Sequence, residues 1–188
     1  MSPLTPTASQ TIGPFFHRAL PFDGDSELVG ASHADAVMFL GTVYDGAGRG
    51  VSDALIEIRQ ADPTGVVPRV QGSLRRQAQT FTGWGRCPTD DEGRFCFRTL
   101  EPGRIPGSRR PFIAVSVLAR GLLNRLFTRA YLPLGGPDEP SDNFLDTLGP
   151  AERDGLLARR APDGSLRFDI HLQGESETTF LRYPMRVA

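Results

Sequence analysis

The chain has 188 residues, a length that predicts a single domain built around one hydrophobic core. Its 21 basic and 22 acidic side chains leave a formal net charge of −1, which excludes the strongly basic surface of a dedicated nucleic-acid or anionic-membrane binder. Hydrophobic residues make up 39% of the chain, and 21 Gly and 16 Pro accompany them, as is typical of a folded protein with many turns.

The two cysteines, Cys87 and Cys96, are too few to build the disulfide framework of a small secreted protein. We expect both to be reduced. The N-terminal residues lack a basic region followed by an apolar stretch, and no segment approaches the roughly 18 consecutive apolar residues of a membrane span. These features predict a soluble cytoplasmic protein.

Short apolar segments separated by Gly, Pro and Asp favour strands over helices. Residues 37–44 are rich in β-branched and aromatic side chains, residues 54–59 alternate between two faces, and a Gly-rich turn lies between them, which predicts a β-hairpin. Residues 80–87 and 94–100 flank a second turn and predict a second hairpin, with the phenylalanines of the later strand on one face.

The remaining elements follow in chain order. The apolar residues in 60–80 recur with no regular spacing, and we expect a long functional loop there. The apolar residues 112–119 predict a strand buried on both faces, and strands follow at 122–132 and 166–172. Residues 150–160 are the only good helical candidate, with a proline first, acids early and arginines last. About eight strands predict an all-β sandwich with long loops and one short peripheral helix.

Residue patterns of a catalytic centre are missing. The histidines, His17, His33 and His171, are isolated and form no His-x-His pair, which is how one strand presents two metal ligands on the same face. The sequence has no Cys-x-x-Cys, no Gly-x-Ser-x-Gly and no phosphate-binding glycine loop followed by a helix. Residue patterns alone therefore indicate a β-sandwich without an evident catalytic centre.

Six segments in one order carry a resemblance that spans nearly the whole chain. They are TASQTIGPFFHRAL, LGTVYDGAGRGVSDALIEIRQAD, GWGRCPTDDEGRFCFRTLEPG, LARG, FTRAYL and RFDIHLQGESETTF. In this order they resemble the intradiol ring-cleaving dioxygenases, and among them the α subunits of heteromeric members. The resemblance implies that family's β-sandwich, in agreement with the strands predicted above.

The resemblance also implies how iron is distributed between subunits. Catalytic chains of the family bind Fe(III) through two tyrosines and two histidines, and the histidines form a His-x-His on a strand that begins Arg-Pro. Here Phe112 and Ala114 occupy those two positions, and no tyrosine lies between Tyr44 and Tyr131, where the family places its tyrosine ligands. Neither side chain can donate a lone pair to iron. The resemblance therefore implies an iron-free α subunit, and we expect Phe112 and Ala114 to be packed in the core.

By the same resemblance, Thr11, Gly13 and Pro14 face the substrate in a cleft shared with the partner, and Arg120 attracts the carboxylate of an aromatic acid. Arg129 is a weaker candidate for that duty, because its strand could place it on solvent. The alternatives are an ordinary turn at the chain entry and a purely structural ion pair.

The implied function is that of the non-catalytic α subunit of an enzyme in which a β subunit holds Fe(III) and cleaves protocatechuate with O2 to 3-carboxy-cis,cis-muconate. Residues 1–188 then form one domain, with residues 1–35 as an arm that packs on the partner subunit. The chain would bind no metal and would be inactive alone. The alternatives are a solitary metal-free β-sandwich that binds an aromatic acid or a protein, and an independent dioxygenase with iron on unusual histidine ligands.

Overall fold

The computed structural model describes residues 7–69, 80–133 and 142–183. Within these ranges, nine strands form two sheets that pack face to face, which confirms the predicted all-β sandwich. The strands are β1 (Val37–Tyr44), β2 (Leu55–Arg59), β3 (Trp84–Pro88), β4 (Arg94–Thr99), β5 (Phe112–Leu118), β6 (Leu126–Tyr131), β7 (Arg159–Arg160), β8 (Leu166–Arg167) and β9 (Ile170–His171).

The first sheet has the strand order β4-β1-β8-β7, and β9 also pairs with β1. β4 runs antiparallel to β1, whereas β8 and β9 run parallel to it. The second sheet has the order β3-β2-β5-β6 and is antiparallel throughout. β5, the strand that carries Phe112 and Ala114, therefore lies inside a sheet with a neighbour on each side.

The core lies between the two sheets. Phe39 of β1 is fully buried, and its ring centroid lies 5.9, 6.3 and 6.4 Å from those of Phe95, Phe97 and Phe168. Side chains from the facing sheet cover these rings: Ile56, Ile58, Ile113, Val115 and Val117. Burying each such side chain contributes roughly 1.5–3 kcal/mol, so this contact holds the two sheets together.

Both predicted hairpins are wrong. Tyr44 and Gly50 do form a bridge at the first turn, but β2 then enters the second sheet while β1 stays in the first. β3 and β4 are separated in the same way, because β3 pairs with β2 and β4 pairs with β1. Alternation of apolar residues shows which face of a strand is buried. It does not show whether the next strand in the chain pairs with it in the same sheet or lies in the facing sheet, because both arrangements bury that face.

Three further elements differ from expectation. β5 is buried on one face only, since Ile113, Val115 and Val117 point into the core and the alternate residues are half-buried on the outer face. The helix predicted over 150–160 ends early: α2 covers Pro150–Asp154, because Arg159 and Arg160 pair with β8 as β7. A second short helix, α1, covers Phe16–Ala19.

The N-terminal arm divides into two parts. Residues 22–29 pack on this chain's own sheets: the N–H of Leu28 donates to the carbonyl of Arg98, and Leu28 is buried in the core. That residues 1–35 pack on a partner subunit stays a prediction, and residues 22–29 also belong to this chain's own fold. Residues 70–79 of the predicted long loop lie outside the described ranges. In those ranges no helix is long and apolar enough to cross a membrane.

Candidate functional site

An open pocket of about 630 Å³ lies where β5 ends and the loop between β1 and β2 approaches it. Arg120 follows β5 on one side of the pocket, and Asp53 lies on the other. The remaining lining residues come from the same two loops and from the end of β9: Asp45, Arg49, Gly50, Val51, Ser52, Ala119, Gly121, Leu122, Leu172 and Gln173. The pocket therefore contains two arginines and two aspartates.

Arg120 is largely exposed and forms an ion pair with Asp53. Its Nε lies 3.1 Å from Asp53 Oδ2, and the two side chains are 64% and 21% exposed. Among the residues that the structure describes, the two terminal Nη groups of Arg120 have no hydrogen-bond partner. The two Nη groups can therefore donate hydrogen bonds to both oxygens of a second carboxylate.

Arg49 is the other cation of the pocket, and its guanidinium is already occupied. Its Nε and Nη2 lie 3.1 and 3.0 Å from Asp45 Oδ2. The backbone N–H of Arg49, with further hydrogen bonds from Ala47 and the Arg49 side chain, holds the pKa of Asp45 below its usual value, against a smaller opposing effect of desolvation. Asp45 thus binds the Nε and Nη2 side of Arg49, whereas Asp53 contacts Arg120 at Nε and leaves both Nη groups of Arg120 without a hydrogen-bond partner among the described residues.

The N-terminal segment reaches this pocket through Thr11. The Thr11 hydroxyl accepts the backbone N–H of Gly121 at 2.7 Å, directly after Arg120. Gly13 and Pro14 are exposed and do not line the pocket. The structure thus brings two of the four predicted site residues together, Thr11 and Arg120. Gly13 adopts a conformation in which a Cβ would meet no atom within 4 Å, so this chain alone does not require a glycine there.

A second anchor, which the sequence analysis missed, holds the other end of this segment. Arg86 Nη1 donates to the carbonyl of Leu20 at 2.8 Å. The same guanidinium binds Glu57 through Nε and Nη2, at 3.0 and 2.6 Å, and lies 5.3 Å from the centroid of Trp84. Trp84 in turn stacks on Phe22 at 6.1 Å. The segment from Thr11 to Leu20 is therefore fixed at both ends, and most of the residues between them are exposed.

The positions that match the family's histidine ligands lie on the outer face of the second sheet, away from the core between the sheets. The expectation that they are packed in a core holds in part, because Phe112 packs against a second hydrophobic cluster formed by Tyr131, Leu145 and Leu156, whereas Ala114 belongs to neither cluster. Phe112 and Ala114 are half-buried there, on the side of β5 opposite the core. Arg59 and Arg129 are the register partners of Ala114 on the two neighbouring strands. Successive side chains of a strand point to opposite faces. Because Ile113, Val115 and Val117 face the core, Phe112 and Ala114 face the other side.

Arg129 covers this part of the sheet. Its Cζ lies 4.5 Å from the ring centroid of Phe112 and 5.5 Å from that of Phe144, so the guanidinium contacts two aromatic rings. Its Nη1 donates to the hydroxyl of Tyr131 at 3.0 Å, and its Nε is buried without a partner among the described residues. Arg129 is therefore not on solvent, and it lies near the start of β5, away from Arg120 at the end of that strand.

Asp142 completes this arrangement. The Tyr131 hydroxyl lies 3.5 Å from Asp142 Oδ1, and burial raises the pKa of Tyr131, so the phenol keeps its proton. Burial also acts to raise the pKa of Asp142, but hydrogen bonds from the Ser108 hydroxyl and from backbone N–H groups outweigh it, and the pKa is lowered. The carboxylate is thus ionised beneath a protonated tyrosine and an arginine.

These residues do not fit an iron ion. A phenylalanine and an alanine occupy the strand positions where the family's histidines would stand, and the guanidinium of Arg129 places a positive charge on the same face. In the part of the chain that the structure describes, no group of three or more His, Cys, Asp or Glu side chains is arranged to hold a metal. His171 stacks on Tyr44 at 4.9 Å, and His33 Nδ1 accepts the N–H of Asp35, two ordinary structural contacts.

Two other clefts have similar volumes, about 570 and 680 Å³. Neither is lined by Thr11, Gly13, Pro14, Arg120 or Arg129. Size therefore does not distinguish the candidate site; what marks it is that Arg120 lines it and that Thr11 contacts the next residue, Gly121.

Comparisons with known proteins agree with this geometry. A family model described as dioxygenase matches residues 12–122. The chain is 38% identical to the protocatechuate 3,4-dioxygenase alpha chain of Burkholderia cepacia and 32% identical to that of Pseudomonas putida, in each case over 96% of this chain and 98% of the relative. The beta chain from Burkholderia cepacia is 32% identical over 79% of this chain and 68% of its own length.

Solved structures extend the comparison to the fold. The dioxygenase domain of a dioxygenase carbohydrate-binding protein fusion from Streptomyces sp. SirexAA-E is 28% identical with a TM-score of 0.55, over 90% of this chain and 99% of that one. Catechol 1,2-dioxygenase from Pseudomonas arvilla C-1 shares the fold at 22% identity and a TM-score of 0.55, over 80% of this chain and 56% of that one. Sequence, fold and the order of the six segments agree, and the chain belongs to the intradiol dioxygenase family.

Proposed function

We propose that this chain is the iron-free α subunit of a protocatechuate 3,4-dioxygenase and that it shapes a cleft completed by a β subunit. Intradiol dioxygenases are iron-dependent enzymes, and the relatives of this chain include both an alpha and a beta chain. The observation that carries the proposal is the outer face of β5, where Phe112 and Ala114 offer no ligand and Arg129 supplies a cation of its own.

The reaction assigned to the assembly is cleavage of protocatechuate between its two hydroxyl-bearing carbons. Both atoms of O2 enter the product, 3-carboxy-cis,cis-muconate, whose two new carboxyl groups arise at the cleaved bond. The Fe(III) held by the β subunit would supply the activation of the catechol ring towards O2. The substrate carries a third group, its ring carboxylate, which takes no part in the cleavage and is available for recognition.

This chain contributes recognition of that carboxylate. The terminal Nη groups of Arg120 form two parallel donors that match a carboxylate, and Arg120 lines a pocket whose two arginines and two aspartates balance in charge. Thr11 ties the N-terminal segment to the residue after Arg120, so the segment and the arginine approach the substrate as one surface. Holding the ring in one orientation favours the reaction by reducing the entropy lost on reaching the transition state.

The experiment that tests the proposal is purification of the tagged chain from its native cells grown on an aromatic acid, with the co-purifying proteins and the iron content determined on the same sample. One iron per pair with a second chain that carries two histidine and two tyrosine ligands supports the proposal. A lone chain without iron favours a solitary binding module, and iron on the lone chain contradicts the ligand assignment.

Substitution of Arg120 tests the role of the pocket in the assembled enzyme. Arg120→Ala is expected to lower the rate on protocatechuate relative to catechol, which lacks the carboxylate. Relative rates equal to those of the unaltered enzyme would contradict carboxylate recognition by Arg120.

A further inference from the structure

We propose that Asp53 is a positioning residue for substrate selection: it holds Arg120 by the Nε side of the guanidinium so that the terminal Nη pair faces the substrate carboxylate. The inference rests on the proposed function and adds a residue to it. Asp53 belongs to none of the segments by which Thr11, Gly13, Pro14 and Arg120 were assigned, and the ion pair in the pocket is what identifies it.

The geometry of the guanidinium is the first step. Arginine presents five N–H donors, and a carboxylate can bind it at the Nε side or at the end formed by the two Nη groups. Asp53 Oδ2 lies 3.1 Å from Nε. The Nη end remains without a hydrogen-bond partner among the described residues, so the two carboxylates, that of Asp53 and that of the substrate, can bind Arg120 together at different edges.

Asp53 is itself held in place, which allows it to orient its partner. Its neighbour Ala54 donates its N–H to Thr89 Oγ1 at 3.0 Å, and that hydroxyl donates in turn to the carbonyl of Val51 at 2.7 Å. The N–H of Thr89 also donates to the carbonyl of Ala54 at 3.0 Å. Thr89 is buried, and it thus fixes the backbone on both sides of Asp53.

Arg120, by contrast, has few restraints of its own. Its side chain is 64% exposed and follows the last residue of β5, where a long flexible side chain would sample many rotamers. The ion pair with Asp53 removes part of that freedom before the substrate arrives, so less entropy is lost on binding. The pocket also stays neutral, with Asp45 opposite Arg49 and Asp53 opposite Arg120, and the substrate then adds a single negative charge at the free Nη end.

The test uses the assembled enzyme and two substrates of the same size, protocatechuate and its neutral amide, 3,4-dihydroxybenzamide. Asp53→Asn and Asp53→Ala are expected to raise KM for protocatechuate about two- to fivefold, the range of an exposed ion pair, with kcat little changed. KM for the amide is expected to stay the same, because the amide does not use the orientation of Arg120. Asp53→Glu, which keeps the charge, is expected to restore part of the loss.

The matched control is Glu27→Gln, which removes the acid of another arginine ion pair, with Arg98 at 2.7 Å, outside the pocket and leaves Arg120 and Asp53 intact. It is expected to change neither KM. In an Arg120→Ala background, Asp53→Asn should have no further effect on KM for protocatechuate, since the residue that it orients is missing.

Three results would overturn the inference. A lower KM for protocatechuate in Asp53→Asn would mean that Asp53 competes with the substrate for Arg120. Equal changes for the acid and the amide would mean a purely structural role, and unchanged KM values would mean that Asp53 does not act on Arg120 at all. If Arg120→Ala also fails to alter selectivity, the proposed carboxylate recognition fails with it; if Arg120→Ala alters selectivity and Asp53→Asn does not, only the role of Asp53 is lost.

Discussion

The Thr11 hydroxyl and the backbone nitrogen of Gly121 lie 2.7 Å apart, although the two residues are separated by 110 positions in the chain. This hydrogen bond joins the exposed N-terminal segment to the turn between β5 and β6, directly after Arg120. Because Arg86 holds the other end of the segment at the carbonyl of Leu20, the stretch between them is a strap fixed at two points. The orientation of this strap therefore depends on both contacts.

Replacing Thr11 with valine should loosen the strap without changing its bulk. The hydroxyl that accepts the Gly121 N–H is lost, and a hydrogen bond of this kind contributes about 0.5–1.5 kcal/mol. We expect limited proteolysis to cleave Thr11→Val several-fold faster in the N-terminal segment of the assembled enzyme, while Thr11→Ser, which keeps the hydroxyl, is cleaved like the unaltered chain. Equal cleavage rates for all three would show that this hydrogen bond does not hold the strap.

The Thr11–Gly121 and Arg120–Asp53 contacts show which part of the site the sequence could predict and which part it could not. The resemblance identified Thr11 and Arg120 as site residues, and the structure places Thr11 against Gly121, which lines the same pocket as Arg120. Asp53 was missed because it lies in a loop between strands whose neighbours the sequence does not give. Which loop meets the end of β5 depends on β2 and β5 being adjacent in the second sheet, and that adjacency is a long-range pairing.

The ion pair between Glu57 and Arg86 should stabilise the fold as well as hold the strap. Both side chains are 17% exposed, so removing one partner leaves the other partly buried and unpaired. We expect Arg86→Leu to lower the stability of the assembly by about 1–3 kcal/mol, which for a chain of this size lowers the thermal midpoint by several degrees.

The double variant Glu57→Leu with Arg86→Leu is the control for that substitution. It removes the unpaired charge, so its thermal midpoint should lie above that of Arg86→Leu alone. A double variant less stable than the single one would mean that Arg86 stabilises through its contact with Trp84 and Leu20 rather than through the ion pair.

Stability should fall at high pH because of Cys87. Burial raises the pKa of this thiol from 9.0 to about 11, so above pH 9 the unfolded chain releases a proton that the folded chain retains. The contribution of the neutral thiol is complete below pH 9 and is lost as the pH rises towards 11, by at most about 2–3 kcal/mol. The thermal midpoint of the unaltered assembly should therefore fall more steeply between pH 9.0 and about 11 than that of Cys87→Ala. Parallel curves would mean that this thiol titrates alike in both states.

The sequence predicted where the strands lie better than it predicted which strands pair with each other. The alternation in β4 correctly gave Phe95 and Phe97 as buried and Arg94 and Cys96 as exposed, because one apolar face must be covered whatever covers it. The same reasoning cannot choose between a neighbour in the sheet and a strand across the core. It therefore produced two hairpins that the fold does not contain. On β5 the outer residue Phe112 does not join the core between the sheets; it packs against the second cluster around Tyr131 and contacts the guanidinium of Arg129 from the adjacent strand.

Restoring the two histidines should not restore an iron site. In the variant Phe112→His with Ala114→His, both imidazoles would lie on the outer face of β5, in register with Tyr131 and Arg129 of β6. The guanidinium of Arg129 is already on that face, where it repels a cation, and Tyr131 is protonated and hydrogen-bonded to it. Two ligands beside a fixed positive charge do not make a site for Fe(III).

We therefore expect the double-histidine chain to contain no more iron than the unaltered chain when each is incubated with ferric ion and desalted. Adding Arg129→Met to the two histidines separates the two obstacles. If the triple variant takes up iron and the double variant does not, the positive charge is the main barrier; if neither does, the missing tyrosine ligands are. Stoichiometric iron in the double variant would contradict the conclusion that Arg129 keeps cations off this face of the sheet.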